Sequence, residues 1–243
     1  MTYCIGLKTN EGLVFASDSR TNAGLDNYST HKKMFSFAVG DRCVVILTSG
    51  NLSTSQHVFK TIQKDVDAKN PLISLNTCNN FDEIADYIGN ISQKKSQSDG
   101  ISINTHLGSN FIVGGQIKGQ EPELKMIYPV WNHINVSEIK PFFQLGEIKY
   151  GKPILDRLIR KEITLGDAAR CALVSFDSTM KSDLSVGPPI DLVIYKKDTL
   201  DISQNDRLQF KTPFFADLSK KWSEGLGNLF GTLPKFDWEN ESD

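Results

Sequence analysis

The second residue is a threonine, so removal of Met1 would leave a hydroxyl and a free α-amine on one residue. That pairing puts a nucleophile and a base in one place. An α-amine with an ordinary pKa of about 7.7–8.0 can take the hydroxyl proton near neutral pH, and no histidine is needed. The chemistry open to such a terminus is acyl transfer through an ester on the threonine oxygen. Other chemistries find no matching residues. No Gly-x-Ser-x-Gly elbow, no His-Glu-x-x-His and no phosphate-binding glycine loop occurs. His31, His57, His106 and His133 lack metal-ligand spacing, and Cys4, Cys43, Cys78 and Cys171 form no CxxC pair. No metal or cofactor is expected.

Composition bounds the partners. With 39% apolar and 23% charged residues, the 243-residue chain can bury a sizeable core. A formal charge of −2 gives no electrostatic case for nucleic acid or an anionic membrane surface. No apolar run reaches the ~18 residues of a membrane span, and no basic-then-apolar leader opens the sequence. Dispersed cysteines in apolar segments point to a reducing, cytoplasmic setting.

The elements that must position Thr2 are legible in the hydrophobic periods. Tyr3–Lys8 and Gly12–Asp18 read as strands around an Asn-Glu-Gly turn, the second apolar enough to be covered on both faces. Residues 19–31 read as a loop. Lys33–Val39 and Arg42–Thr48 form a second pair around Gly40-Asp41. Leu52, Phe59, Ile62 and Val66 recur at helical spacing, as do Phe81, Ile84, Ala85, Ile88 and Ile91, with Asn80 as cap and Glu83 completing a capping box. Residues 95–109 read as a loop. Strands return at Phe111–Ile117, Glu123–Tyr128 and Phe142–Leu145. Helices follow over Lys152–Arg160 and after Thr164, then strands at Ile190–Tyr195 and Leu208–Phe210. Runs of strands and runs of helices favour stacked layers over an alternating plan. The expected fold is α+β: a four-layer αββα sandwich of two antiparallel sheets flanked by helix pairs. One domain spans 1–243, with a core over 2–210, a helical extension over 211–235 and an acidic tail over 236–243. Phe215, Leu218, Trp222, Leu226 and Leu229 share one face of the extension, which suits packing on its own core or docking on a neighbouring subunit.

Thr2, Gly6, Asp18, Arg20, Lys33 and Gly50 stand in order and spacing that resemble proteasome β-type subunits, which are N-terminal nucleophile hydrolases. Lys32-Lys33-Met34-Phe35, Thr48-Ser49-Gly50, Phe111-Ile-Val-Gly-Gly115 and Asp183-Leu-Ser-Val-Gly187 are similar to motifs of that family, across roughly residues 2–195. The opening Thr-Tyr-Cys-Ile-Gly-Leu and Ala-Ser-Asp-Ser-Arg-Thr-Asn-Ala-Gly resemble its bacterial Anbu branch.

The resemblance implies roles. Thr2 Oγ is the nucleophile and its amine the base. Lys33 places a cation nearby, Asp18 holds that ammonium, and the Gly50 N–H donates to the oxyanion. Arg20 fixes the Asp18 loop. Asp183, Ser185 and Glu147 support the site, while Thr21, His31, Thr48 and Leu52 line a pocket for a small-to-medium apolar side chain. The family's turn serine is replaced by Glu147, and its late serine position holds Val186 with Ser185 one place early. Tyr3 and Glu147 are then the groups left to help proton transfer, and slow or narrow peptidase activity is expected. The implied substrate is a peptide or unfolded protein, and the implied assembly is a homo-oligomer, ring or spiral, with an ATPase regulator left open. Two alternatives stand: a non-catalytic scaffold subunit, like the α-type rings but without their leading helix, and an N-terminal-nucleophile amidase for a small amide.

Overall fold

The computed structural model describes residues 2–22, 28–68, 71–99, 108–130 and 132–239. Met1, His106 and residues 240–243 of the acidic tail lie outside the described residues. Two five-stranded antiparallel sheets stack face to face. The first has the order β10-β1-β2-β11-β12, from β1 (Tyr3–Thr9), β2 (Gly12–Asp18), β10 (Phe142–Gly146), β11 (Ile190–Lys196) and β12 (Asn205–Leu208). The second runs β5-β6-β7-β8-β9, from β5 (Met34–Val39), β6 (Arg42–Gly50), β7 (Ser109–Ile117), β8 (Glu123–Ile127) and β9 (His133–Asn135). A short hairpin of β3 (Arg20–Asn22) and β4 (Tyr28–Thr30) stands apart from both.

Three apolar clusters fill the gaps between layers. Cys4, Phe15, Leu47, Ile112 and Val193 pack between the sheets. Tyr3, Ile5, Leu7, Ala168, Ala172 and Phe176 join the first sheet to α3 (Lys152–Leu158) and α4 (Leu165–Ser182). Val44, Ile46, Val58, Ile62, Ile84 and Ile88 join the second sheet to α1 (Leu52–Asp67) and α2 (Phe81–Ser98). The layers are therefore α, β, β, α, as the periodicity implied. Among the described residues, no helix is long and apolar enough to cross a membrane.

Local chemistry explains the helix starts. Asn51, Asn80 and Thr164 each accept from a backbone N–H three residues on. The expected box at α2 closes differently: Glu83 accepts the N–H of Asn79, not of Asn80. Four further expectations are corrected. Residues 19–31 contain the β3–β4 hairpin, whose three-residue strands are too short to show a period. The 95–109 stretch is helical to Ser98, and β7 starts at Ser109. β9 and the 3₁₀ turn at Asp237–Glu239 are equally brief and were not anticipated. The last strand is Asn205–Leu208, shifted towards its polar half. The helical extension forms α5 (Pro213–Gly231) and rests on α4 through Phe215 and Leu218.

Candidate active site

Strand register brings the chain start to the middle of the first sheet. Tyr3 pairs with Gly146 on one side, and Cys4 pairs with Ser17 on the other. Alternation then sends Tyr3, Ile5 and Leu7 to the helix side and Cys4 between the sheets, and Thr2 shares the face of Cys4. The Thr2–Tyr3 peptide is pinned at both edges. Its C=O accepts the Glu147 N–H at 2.7 Å, and its N–H donates to Asp18 Oδ1 at 2.9 Å. Gly146 makes this close approach possible. Its φ is +82°, and a Cβ there would lie 1.8 Å from the Thr2 carbonyl oxygen.

Asp18 ends β2 with β11 on its outer side, and no part of it reaches solvent. Its Oδ1 also accepts from Lys33 Nζ at 2.8 Å, and Lys33 Nζ donates to the Arg20 carbonyl at 2.5 Å. Lys33 enters from the second sheet, where its own C=O accepts the Thr48 N–H at 3.0 Å. One buried ion pair therefore ties the two sheets together beside Thr2. Burial raises the Asp18 carboxyl above the ordinary aspartate range, and the Lys33 ammonium and the Tyr3 N–H oppose that rise. The neighbouring Cys4 thiol donates to the Thr48 carbonyl at 3.6 Å and is pushed far up by burial, so it is an inert thiol.

Gly50 ends β6 exposed, opposite Ser109, with φ +103°. Along a strand, N–H groups two residues apart face the same edge, so the Gly50 N–H lies on the side where the Thr48 N–H meets Lys33. β5 begins only at Met34, and Gly50 reaches past its end. A side chain is excluded there, because a Cβ would stand 2.4 Å from the Gly108 carbonyl oxygen.

Arg20 crosses to the loop after α4. Its guanidinium donates to the Leu184 carbonyl at 2.5 Å and lies against Gly187, where a Cβ would be 2.3 Å from Cζ. Within that loop the Ser185 N–H donates to Asp183 Oδ1 at 2.8 Å. Burial would raise the Asp183 carboxyl, but donation from Ser185 outweighs it and holds the group below the usual range. Asp183 and Ser185 thus reach the Asp18 corner through Arg20.

Two proposed proton handlers are corrected. Tyr3 points away from the cleft: its hydroxyl is 2.5 Å from Ser175 Oγ, accepts from Gln144 Nε2 at 2.6 Å, and is pushed up to about 12 by burial. Glu147 serves Thr2 through its backbone, and its carboxylate instead pairs with Lys149 at 3.2 Å. Of the pocket residues, Thr48 is turned under α1, its hydroxyl 2.7 Å from Ser55 Oγ, and is buried. Leu52 is exposed on the first turn of α1, and the half-buried His31 joins the corner through its N–H to the Ser19 carbonyl at 2.9 Å. Thr21 sits in the β3–β4 hairpin opposite Ser29.

Sequence reasoning missed Asp191, which lies opposite Ser17 next to the Asp18 pairing position. It accepts from Arg207 at 2.9 Å and from Ser19 Oγ at 3.3 Å. The signal was a lone carboxylate in the otherwise apolar run Ile190–Tyr195.

Comparison with known proteins bears directly on this arrangement. The family described as proteasome subunit matches residues 2–195. A solved Anbu mutant (Gly-1) from Hyphomicrobium sp. strain MC1 superposes with a TM-score of 0.91 at 42% identity, over 98% of this chain and 100% of that one. Anbu from Yersinia bercovieri, described as an ancestral β-subunit, gives 0.91 at 39% identity over 97% and 100%. The helical assembly of the Anbu complex from Pseudomonas aeruginosa gives 0.89 at 42% identity over 97% and 98%. No curated protein matches this chain.

Proposed function

The chain belongs to the proteasome subunit family, and from that premise we propose that it is a threonine-type amide hydrolase working through Thr2 after removal of Met1. The observation that carries the reading is the double use of Asp18 Oδ1, which receives both the Tyr3 N–H and the Lys33 ammonium. One carboxylate thus sets the position of the nucleophile-bearing backbone and the position of the cation.

The steps follow from the residues. The α-amine takes the proton of Thr2 Oγ as the oxygen attacks the substrate carbonyl carbon. The C=O electron pair moves to oxygen, and the resulting oxyanion accepts the Gly50 N–H, an interaction worth about 2.7–4 kcal/mol where such donors are deleted. Lys33 disfavours a second positive charge on the amine, keeping it a base, and stabilises the developing alkoxide. Collapse breaks the C–N bond, and the ammonium proton leaves with the amine product. Water then attacks the Thr2 ester with the same amine as base, releasing the acid and restoring Thr2.

Glu147 and Val186 hold the positions at which the resemblance expects hydroxyls, and the Glu147 carboxylate is engaged by Lys149. We therefore expect turnover slower or narrower than that of an ordinary proteasome. Peptides or unfolded chains are the proposed substrates, and the likeness to an Anbu helical assembly supports self-assembly of this chain as well. The proposal includes a single domain, residues 211–235 serving as its extension, and a reducing, cytoplasmic setting that suits four unpaired buried cysteines.

The test is mass spectrometric. Purified protein is treated with an electrophile directed at N-terminal threonine, and the adduct is located beside a Thr2→Ala control. Retention of Met1, or labelling that survives Thr2→Ala, sinks the assignment. A scaffold subunit would stay unlabelled, and an amidase would label but prefer small amides to peptides.

A further inference from the structure

Ser19 stands between two acceptors of the Lys33 ammonium. Asp18 supplies a carboxylate oxygen at 2.8 Å and Arg20 supplies its carbonyl at 2.5 Å, so Lys33 Nζ bridges across the Ser19 backbone. The Ser19 carbonyl accepts the His31 N–H at 2.9 Å, which ties the end of the β3–β4 hairpin to the same corner. Ser19 itself lies one residue past Asp18 and Ile190, the last pair of β2 with β11. Its side chain is nevertheless held from β11: the buried Ser19 Oγ donates to Asp191 Oδ2 at 3.3 Å. The other Asp191 oxygen accepts from Arg207 on β12 at 2.9 Å. A carboxylate is an expensive choice at this position. Asp191 is 5% exposed, and Val193 and Tyr195, which follow it on the same face of β11, belong to the apolar cluster between the sheets. Buried ion pairs stabilise a fold weakly, and apolar residues often replace them with no loss or with a gain, provided no buried charge is stranded. Arg207 would not be stranded. Its side chain is 48% exposed and borders a cleft of about 270 Å³ between β5 and β12, the edge strands of the two sheets. Neither packing nor Arg207 requires the carboxylate, and Ser19 is the group it serves.

We propose that Asp191 is a positioning residue for the reaction at Thr2, acting through Ser19 to hold the Asp18 carboxylate and the Arg20 carbonyl at one spacing around Lys33. This rests on the Thr2 reading above and extends it to a residue that touches no reacting atom. The relay is one of fixed donors and acceptors, and no proton moves along it. Arg207 orients Asp191, Asp191 accepts the Ser19 hydroxyl, and the Ser19 backbone joins both acceptors of the ammonium. Without the Asp191 bond, Ser19 Oγ turns to another acceptor, the Arg20 carbonyl shifts, and the ammonium moves relative to Thr2. The His31 tie loosens with it, so the change also reaches the hairpin that carries Thr21. A displacement of ~1 Å caused by a change remote from the chemistry costs about 10²-fold in rate.

The experiment uses the full chain and compares Asp191→Val, Ser19→Ala, their double variant and Asp191→Asn with wild type. Three quantities are read: the rate of Thr2 labelling at saturating electrophile, the urea unfolding midpoint, and hydrogen exchange of the His31 amide. Asp191→Val and Ser19→Ala are each expected to slow labelling by about 10- to 100-fold, and the double variant no more than the slower of the two. The midpoint of Asp191→Val is expected at or above that of wild type, so stability and reactivity part company, which a purely structural role would not produce. Asp191→Asn should label within about threefold of wild type, because its amide oxygen still accepts from Arg207 and its N–H₂ still donates to Ser19 Oγ. His31 exchange should quicken at least tenfold in Asp191→Val and Ser19→Ala and not in Asp191→Asn. Labelling of Ser19→Ala within twofold of wild type overturns the proposal, as does a double variant whose losses multiply. Should Asp191→Val not fold, Ser19→Ala, which removes one oxygen, and Asp191→Asn decide by the same criteria. Wild type that is never labelled overturns the Thr2 reading; the hold of Asp191 on Ser19 is then supported by the quickened His31 exchange and overturned by its absence.

Discussion

Replacing Lys33 by methionine isolates the ion pair on which the site depends. The side chains of Lys33 and Asp18 are 7% and 0% exposed and meet at 2.8 Å. Lys33→Met keeps the aliphatic stem and deletes the charge, leaving a buried carboxylate with the Tyr3 N–H and no cation. Stranding one member of a buried pair costs about 3–5 kcal/mol. For a chain of this length that corresponds to a fall in Tm of roughly 6–20 °C. The pH dependence has a definite sign. Burial already raises the Asp18 carboxyl in the folded state, so the stability linked to this group is present below the unfolded pKa and lost as pH rises through the folded one. Removing the lysine lifts the folded pKa further. The deficit of Lys33→Met against wild type should therefore be larger at the higher of two assay pH values chosen above the ordinary aspartate range, as the stranded carboxylate ionises. Adding Asp18→Asn should recover at least half of it, since a neutral amide is far cheaper to bury than an unpaired charge. The assay is urea unfolding followed by far-UV circular dichroism at fixed chain concentration. A deficit below about 1 kcal/mol that is equal at both pH values would refute the argument, because a pair worth that little behaves as a surface pair.

Three other outcomes are expected. Gly50→Ala should slow acylation of Thr2 by about 10²-fold or more, because a Cβ 2.4 Å from the Gly108 carbonyl must shift the oxyanion donor; an unchanged rate removes Gly50 from the mechanism. Tyr3→Phe deletes a hydroxyl bonded to Ser175 and Gln144 and should lower stability by about 1–3 kcal/mol while Thr2 labelling survives; lost labelling with full stability would return Tyr3 to the chemistry. Labelling of Thr2 measured against pH should fall on the acid side first as the α-amine base is protonated, and fall again through a group titrating above 3.8, since protonating Asp18 dissolves the pair with Lys33 and burial has raised that carboxyl; a second limb at or below 3.8 contradicts the assignment.

Much of this was readable before any coordinates. The unbroken apolar run of β2 announced a strand covered on both faces, and all seven of its residues are buried. Asn80 and Thr164, the two caps expected, cap helices because their side-chain oxygens satisfy N–H groups that the first turn leaves unbonded. Asp18, Lys33 and Gly50 were picked out by their resemblance, in order and spacing, to proteasome β-type subunits. The short elements were not readable. β3, β4 and β9 have three residues each, fewer than two alternations, and their pairing is imposed by neighbours. Side-chain direction was equally hidden. Tyr3 looked like a neighbour of the chemistry because it is adjacent in sequence, but adjacency along a strand means opposite faces.

Residue types and hydrophobic periods in the sequence determined which of the longer segments are strands and helices, where α2 and α4 start, and that a hydroxyl can share a residue with an amine once Met1 is gone. Those are local properties, set within one or two turns of chain. Only the tertiary structure decided that Asp18 is fully buried with Lys33 against it, that Glu147 meets Thr2 by backbone and not by carboxylate, and that the apolar stripe of α5 stays uncovered along half its length. Burial and long-range pairing depend on which surfaces the stacked sheets leave facing each other, and no short stretch of sequence carries that information.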